Sequence, residues 1–198
     1  MRAADADILI VPGYSGGTPA HWYSRWLTKL STAKRVEQKD WLTPRRDDWV
    51  ETIVSASTRG HRPVIFVAHS LGCIALLHAA PRLGSAVAGA FLVAPPGEAA
   101  LRDLIEGRDP ETPGASLSEG RHIDAAFLPI PRAPLPFPSV MVGGSDDPYA
   151  EATFTPRLAE DIGARFIDAG AAGHINPDSG HGPWPEGSLA FAHFMAKL

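Results

Sequence analysis

Short unbroken apolar runs alternate along the chain with longer stretches in which apolar residues recur at helical spacing. Residues 8–11, 64–68, 90–93, 139–142 and 165–167 predict strands, and 35–38 predicts a weaker one. Helices are predicted over 18–30 (Trp22, Trp26, Leu27 and Leu30 on one face), 47–58 (Trp49, Val50, Ile53 and Val54), 71–82, 150–162 and 188–198. Pro12-Gly13, Pro95-Pro96 and Gly143-Gly144 end three of the strands. The strands show no polar alternation, as expected where helices cover both faces of a parallel sheet. Strand–helix alternation of this kind predicts an α/β fold: a six-stranded, mainly parallel sheet with right-handed crossovers and helices on both faces.

No internal repeat or linker interrupts residues 1–198, so one domain is expected. The stretch 97–138 stands apart. It carries Pro110, Pro113, Pro129, Pro131, Pro134, Pro136 and Pro138, too many for a central strand or a long helix through most of it. It reads either as a lid or binding loop or as a passive surface connection.

Composition narrows the function classes. Apolar residues are 44% and charged residues 20% of the 198, ordinary for a globular chain. The net charge of −4, without a basic run, weighs against general nucleic-acid binding. A lone cysteine, Cys73, excludes an intramolecular disulfide framework and a multi-cysteine zinc site, and reads as a small buried residue. No segment approaches the roughly 20 apolar residues of a membrane helix. The run at 8–11 is too short for a signal-peptide core and follows Asp5 and Asp7, so a cytoplasmic protein is expected.

The strongest chemical signal is Ala68-His69-Ser70-Leu71-Gly72, between the best strand and a good helix. This is the strand–turn–helix setting of a nucleophile elbow, in which small neighbours let strand and helix approach closely around a strained serine. A helix N-cap serine is the plainer alternative. An activated serine needs a base, and the base an orienting carboxylate, in the chain order Ser, acid, His. Asp146 and Asp147 follow the strand at 139–142, and the spacing from Gly144 together with Pro148 favours Asp147, leaving Asp146 to support the turn. His174 follows the strand at 165–167 and leads over His181, which reads as a loop or pocket-wall residue. The other histidines, His21 included, have no partner spacing, and His69 is expected to point away from the nucleophile.

An oxyanion needs N–H donors. Leu71 N–H at the helix start is one candidate, and Tyr14 N–H, then Ser15 N–H, the second, from the glycine-rich loop Pro12-Gly13-Tyr14-Ser15-Gly16-Gly17. That loop fits neither the P-loop nor the dinucleotide fingerprint. His174, Asp178 and His181 fit no metal spacing. No cofactor and no metal are therefore expected. Ser15, Trp184 and His181 are candidates for contacting substrate, and Trp22 either walls the pocket or belongs to the core.

The segments V-P-G-Y-S-G-G-x-x-x-H-W-x-x-R-W (11–26), A-H-S-L-G-C (68–73), G-S-D-D-P-Y (144–149) and G-H-I-N-P-D-S-G-H-G-P-W-P-E-G (173–187) together resemble the small serine hydrolases of the retinoblastoma-binding protein 9 and YdeN type. Ala68 stands where glycine is more usual. The resemblance implies a minimal α/β-hydrolase fold without the first strands of larger relatives, and Ser70, Asp147 and His174 as a triad. The expected activity is carboxylesterase-like: hydrolysis of a small ester, thioester, lactone or amide through an acyl-enzyme. A non-catalytic interaction module on the same fold is the rival reading, and no protein partner is implied.

Overall fold

In the computed structural model, which describes residues 1–112 and 115–198, the apolar runs become six strands of one sheet. These are β1 (Asp7–Val11), β2 (Ala33–Arg35), β3 (Val64–His69), β4 (Val87–Val93), β5 (Ser139–Gly143) and β6 (Arg165–Asp168), in the order β2-β1-β3-β4-β5-β6. Every neighbouring pair is parallel, where a mainly parallel sheet was expected. The helices are α1 (Trp22–Lys29), α2 (Arg46–Ser57), α3 (Leu71–Ala79), α4 (Glu98–Ile105), α5 (Phe154–Asp161) and α6 (Pro185–Met195).

Successive side chains of a strand point to opposite faces, so an unbroken apolar run feeds two cores at once. Leu9, Val11, Phe66, Ala68, Leu92 and Met141 pack with α2, α3, α4 and α5. Their neighbours Ile8, Ile10, Ile65, Val67, Phe91 and Val140 pack with α1 and α6. Among the described residues no helix is long and apolar enough to cross a membrane.

Several elements differ from the sequence expectation: β4 starts at Val87 rather than 90, α5 at Phe154 rather than 150, α6 at Pro185 rather than 188, and β2, α1 and α4 differ as follows. β2 pairs earlier than 35–38, through Ile8↔Ala33 to Ile10↔Arg35, with Val36 N–H still donating to Ile10 O at 2.8 Å. It is an edge strand, none of whose residues is fully buried, so hydrophobicity does not mark its register. α1 starts at Trp22 rather than at 18, because Pro19 disfavours helical geometry at Thr18. α4 lies inside the proline-rich stretch, before Pro110, and buries Ala100, Leu101 and Leu104 on one face. Beyond it the chain folds back, with Asp109 N–H donating to Ala115 O and Leu117 N–H to Gly107 O.

β1 lies between β2 and β3, so the loops after β1 and β3 leave the sheet towards opposite sides. Open α/β sheets form their ligand crevice at such a switch point, beyond the carboxyl ends of the strands.

Candidate active site

Ser70 sits in that crevice, between the last residue of β3 and the first of α3, at φ 53 and ψ −127. Its N–H donates to Val93 O at 3.0 Å, which pins the turn to β4. A Cβ on Gly72 would lie 2.4 Å from Val11 O and 2.6 Å from Pro12 O, so only glycine lets α3 start this close to β1. Ala68, two residues before the serine, is fully buried and its methyl is accommodated. Gly13 closes the other side: a Cβ there would lie 2.7 Å from Ser70 Cβ.

Two further strand ends bring their loops to the serine. His174 Nε2 lies 2.9 Å from Ser70 Oγ. The opposite ring nitrogen, Nδ1, lies 2.9 and 3.0 Å from the two carboxylate oxygens of Asp147. An ionised carboxylate only accepts, so Nδ1 carries the proton and Nε2 presents its lone pair to the serine hydroxyl. Both residues are buried. Asp147 also accepts from Tyr149 N–H at 2.9 Å, which fixes the carboxylate in the turn after β5. Asp146 faces elsewhere and accepts from Gly173 N–H at 2.7 Å, tying the histidine loop to the acid loop.

The backbone donors are placed as follows. Ser15 N–H is committed to Trp41 O at 3.0 Å, while Leu71 N–H and Tyr14 N–H have no acceptor among the described residues. Ser15 itself borders the cavity. Trp184 does not. It precedes α6 and packs in the core, its ring centroid 5.1 Å from that of Trp22, because the N-terminal end of α6 docks on the sheet. His181 is also off the cavity, with Nδ1 3.2 Å from Ser179 Oγ. Trp22 is fully buried and donates its indole N–H to Ile175 O at 2.9 Å, steadying the loop that carries His174.

A cavity of about 240 Å³ opens over Ser70 and His174. Its walls include three residues to which the sequence assigned no role: His21, His69 and Tyr149. His69 does not point away from the site. Its Nε2 donates to His174 O at 3.0 Å, and its ring centroid lies 5.0 Å from that of His174. Tyr149 lies against His174 with centroids 4.2 Å apart. Burial, and then the nearby His174, hold the His21 imidazole down to about 3. Burial holds His69 well below the usual histidine range as well. The Tyr149 phenol is pushed up by burial first and by Glu111. Leu104 of α4 and Glu111 also border the cavity, so part of the proline-rich stretch lies over it.

The sequence profile of the serine hydrolase family matches residues 8–193. YdeN of Bacillus subtilis, described as a hydrolase with no substrate stated, is 27% identical over 181 residues, 88% of each chain. A YdeN-like hydrolase from Pectobacterium atrosepticum superposes with a TM-score of 0.78 at 28% identity, covering 97% of this chain and 91% of that one. The structure of the Bacillus subtilis ydeN product gives 0.71 at 23% identity, over 96% and 98% of the two chains. Mouse alpha/beta hydrolase domain-containing protein 10, at 16% identity and a TM-score of 0.67 over 96% of this chain and 88% of its own, shares the fold. It is the YdeN side of the sequence resemblance that these relatives carry. Matched over nearly its whole length, the chain belongs to the serine hydrolase family and has the α/β-hydrolase fold.

Proposed function

We propose that this hydrolase cleaves a small ester-like substrate through an acyl-enzyme on Ser70. The observation that carries the reading is the unbroken hydrogen-bonded chain from Ser70 Oγ through the His174 ring to Asp147. As Oγ attacks the carbonyl carbon, His174 Nε2 takes its proton, and the Asp147 carboxylate stabilises the imidazolium that forms. The N–H groups of Leu71 and Tyr14, which have no acceptor among the described residues, serve as the donors to the oxyanion of the tetrahedral intermediate. His174 returns the proton to the leaving group as the C–O, C–S or C–N bond breaks. A water then attacks the acyl carbon, losing its proton to His174, and the carboxylic acid departs as Oγ is reprotonated. The turn geometry of Ser70 supports this reading, because a non-glycine residue at positive φ is retained where surrounding structure holds it for use.

Cavity size bears on the substrate. At about 240 Å³ the site lies below the roughly 300–1,000 Å³ of pockets for drug-sized ligands. Short acyl groups fit it better than long chains. No residue of the proposed mechanism requires a cofactor.

Turnover of p-nitrophenyl acetate tests the proposal. Ser70→Ala should lower kcat by a factor on the order of 10⁴ or more, to the background rate. A variant that keeps more than about a tenth of the wild-type kcat would remove Ser70 from the chemistry.

A further inference from the structure

Among the described residues of the cavity wall, His21 alone has a buried side-chain nitrogen that makes no hydrogen bond. It occupies the position before α1, where serine, threonine, aspartate or asparagine would normally cap the helix, yet its side chain makes no capping hydrogen bond. The residue is 4% exposed, and its ring forms part of the cavity wall. Nδ1 is enclosed with no partner among the described residues, whereas Nε2 is not enclosed and makes no hydrogen bond to a described residue, which leaves it open to a ligand. The ring packs among aromatic neighbours. It stacks on Tyr23 at 3.7 Å between centroids and meets the edge of His69 at 4.7 Å. A phenylalanine would make the same contacts without burying an unsatisfied nitrogen, an arrangement proteins otherwise avoid.

The ring beside it is prepared in the same way. His69 spends its Nε2–H on His174 O, so its Nδ1 is left as an acceptor. Both imidazoles are neutral at ordinary pH, because burial disfavours the charged form. A neutral imidazole carries one N–H and one lone pair, which complements a group that both donates and accepts. Among the described residues no lysine or arginine lines the cavity to receive a carboxylate, and Glu111 and Asp178 in its lining oppose one.

Building on the acyl-enzyme reading above, we propose that His21 is a specificity-determining residue: its uncharged imidazole hydrogen-bonds a hydroxyl or amide on the short acyl group beside Ser70. The preferred substrates are then small, uncharged, polar acyl esters rather than aliphatic or dicarboxylic ones.

The test compares p-nitrophenyl glycolate with its near-isostere p-nitrophenyl propanoate in wild type, His21→Phe and His21→Gln. The ratio of kcat/KM for glycolate over propanoate should fall about tenfold or more in His21→Phe, which keeps the ring stack, and recover in part in His21→Gln. An unchanged ratio overturns the proposal, including the case in which both rates fall together, since that marks a merely structural residue. A second arm needs no turnover. In the Ser70→Ala protein, glycolamide should shift the ¹⁵N signals of the His21 ring, and propanamide should not. Equal shifts, or none, count against the proposal. Should wild type hydrolyse neither ester, the hydrolase reading fails by itself and the amide titration still decides the role of His21.

Discussion

Ser70 is held at φ 53 and ψ −127, and such a conformation costs a non-glycine residue about 1–3 kcal/mol. Ser70→Gly and Ser70→Ala both remove the hydroxyl, but only glycine relieves the backbone. Urea unfolding should therefore find Ser70→Gly about 1 kcal/mol more stable than Ser70→Ala, with both inactive. Equal stabilities would mean that the turn is unstrained. Asp147 makes a different kind of contribution. An asparagine in its place can present its amide N–H to Nδ1, which puts the imidazole proton on Nε2, where it cannot accept from Ser70. Asp147→Asn should leave the fold intact and lower kcat by about 10³–10⁴. Asp146 touches no reacting group and acts through Gly173 N–H, so Asp146→Ala should cost only about tenfold, as the histidine loop loosens. Steady-state kinetics on one ester separates the two aspartates.

The elements meet most tightly where β1, β3 and α3 converge. Gly72→Ala forces its methyl against the carbonyl oxygens of Val11 and Pro12, which are backbone and cannot rotate away. The expected loss is about 1–3 kcal/mol or more, read as a lower urea midpoint at unchanged slope. The pentapeptide at 68–72 makes this requirement legible in the sequence, because a small residue after the serine is a steric demand of the turn itself. Strands β1, β3, β4 and β5 are legible for a related reason: both their faces are covered, so all but their end residues are apolar or glycine. β2 was displaced by two residues because an edge strand with no buried residue leaves no such trace. α4 was hidden by the prolines that follow it, although its stripe of Ala100, Leu101 and Leu104 is helical. Ser70, Asp147 and His174, which meet at the candidate site, are legible as neighbours because each follows a strand in a fixed order. His21 and His69 are not, since their position on the cavity wall depends on how α1 and the elbow pack together. Trp184 shows the converse: an aromatic in a site-like loop went to the core, because α6 needed an anchor on the sheet.

Across the whole molecule, the buried neutral histidines set a pH dependence of stability. His21 and His69 titrate far below the unfolded value of about 6.5. Above that value the folded and unfolded forms are both neutral at these sites, and the two residues contribute no slope. Below it the unfolded chain takes up protons that the folded chain refuses, so stability falls with falling pH by about 1.4 kcal/mol per pH unit for each histidine. Urea midpoints should be level from pH 8 to 7 and drop between pH 6 and 5, and His21→Phe should remove about one proton's share of that slope. A flat profile down to pH 5 would mean that these rings protonate in place. In the proposed mechanism the same assembly of strand ends concentrates the chemistry on a single hydroxyl. The most direct measurement is therefore the intact mass of the protein after treatment with a fluorophosphonate, in wild type, Ser70→Ala and His174→Ala. Expected are one adduct on wild type, located at Ser70, none on Ser70→Ala, and labelling slowed by about 10³-fold or more on His174→Ala. Well-folded wild type that stays unlabelled, or an adduct that persists in Ser70→Ala, would contradict the proposed mechanism.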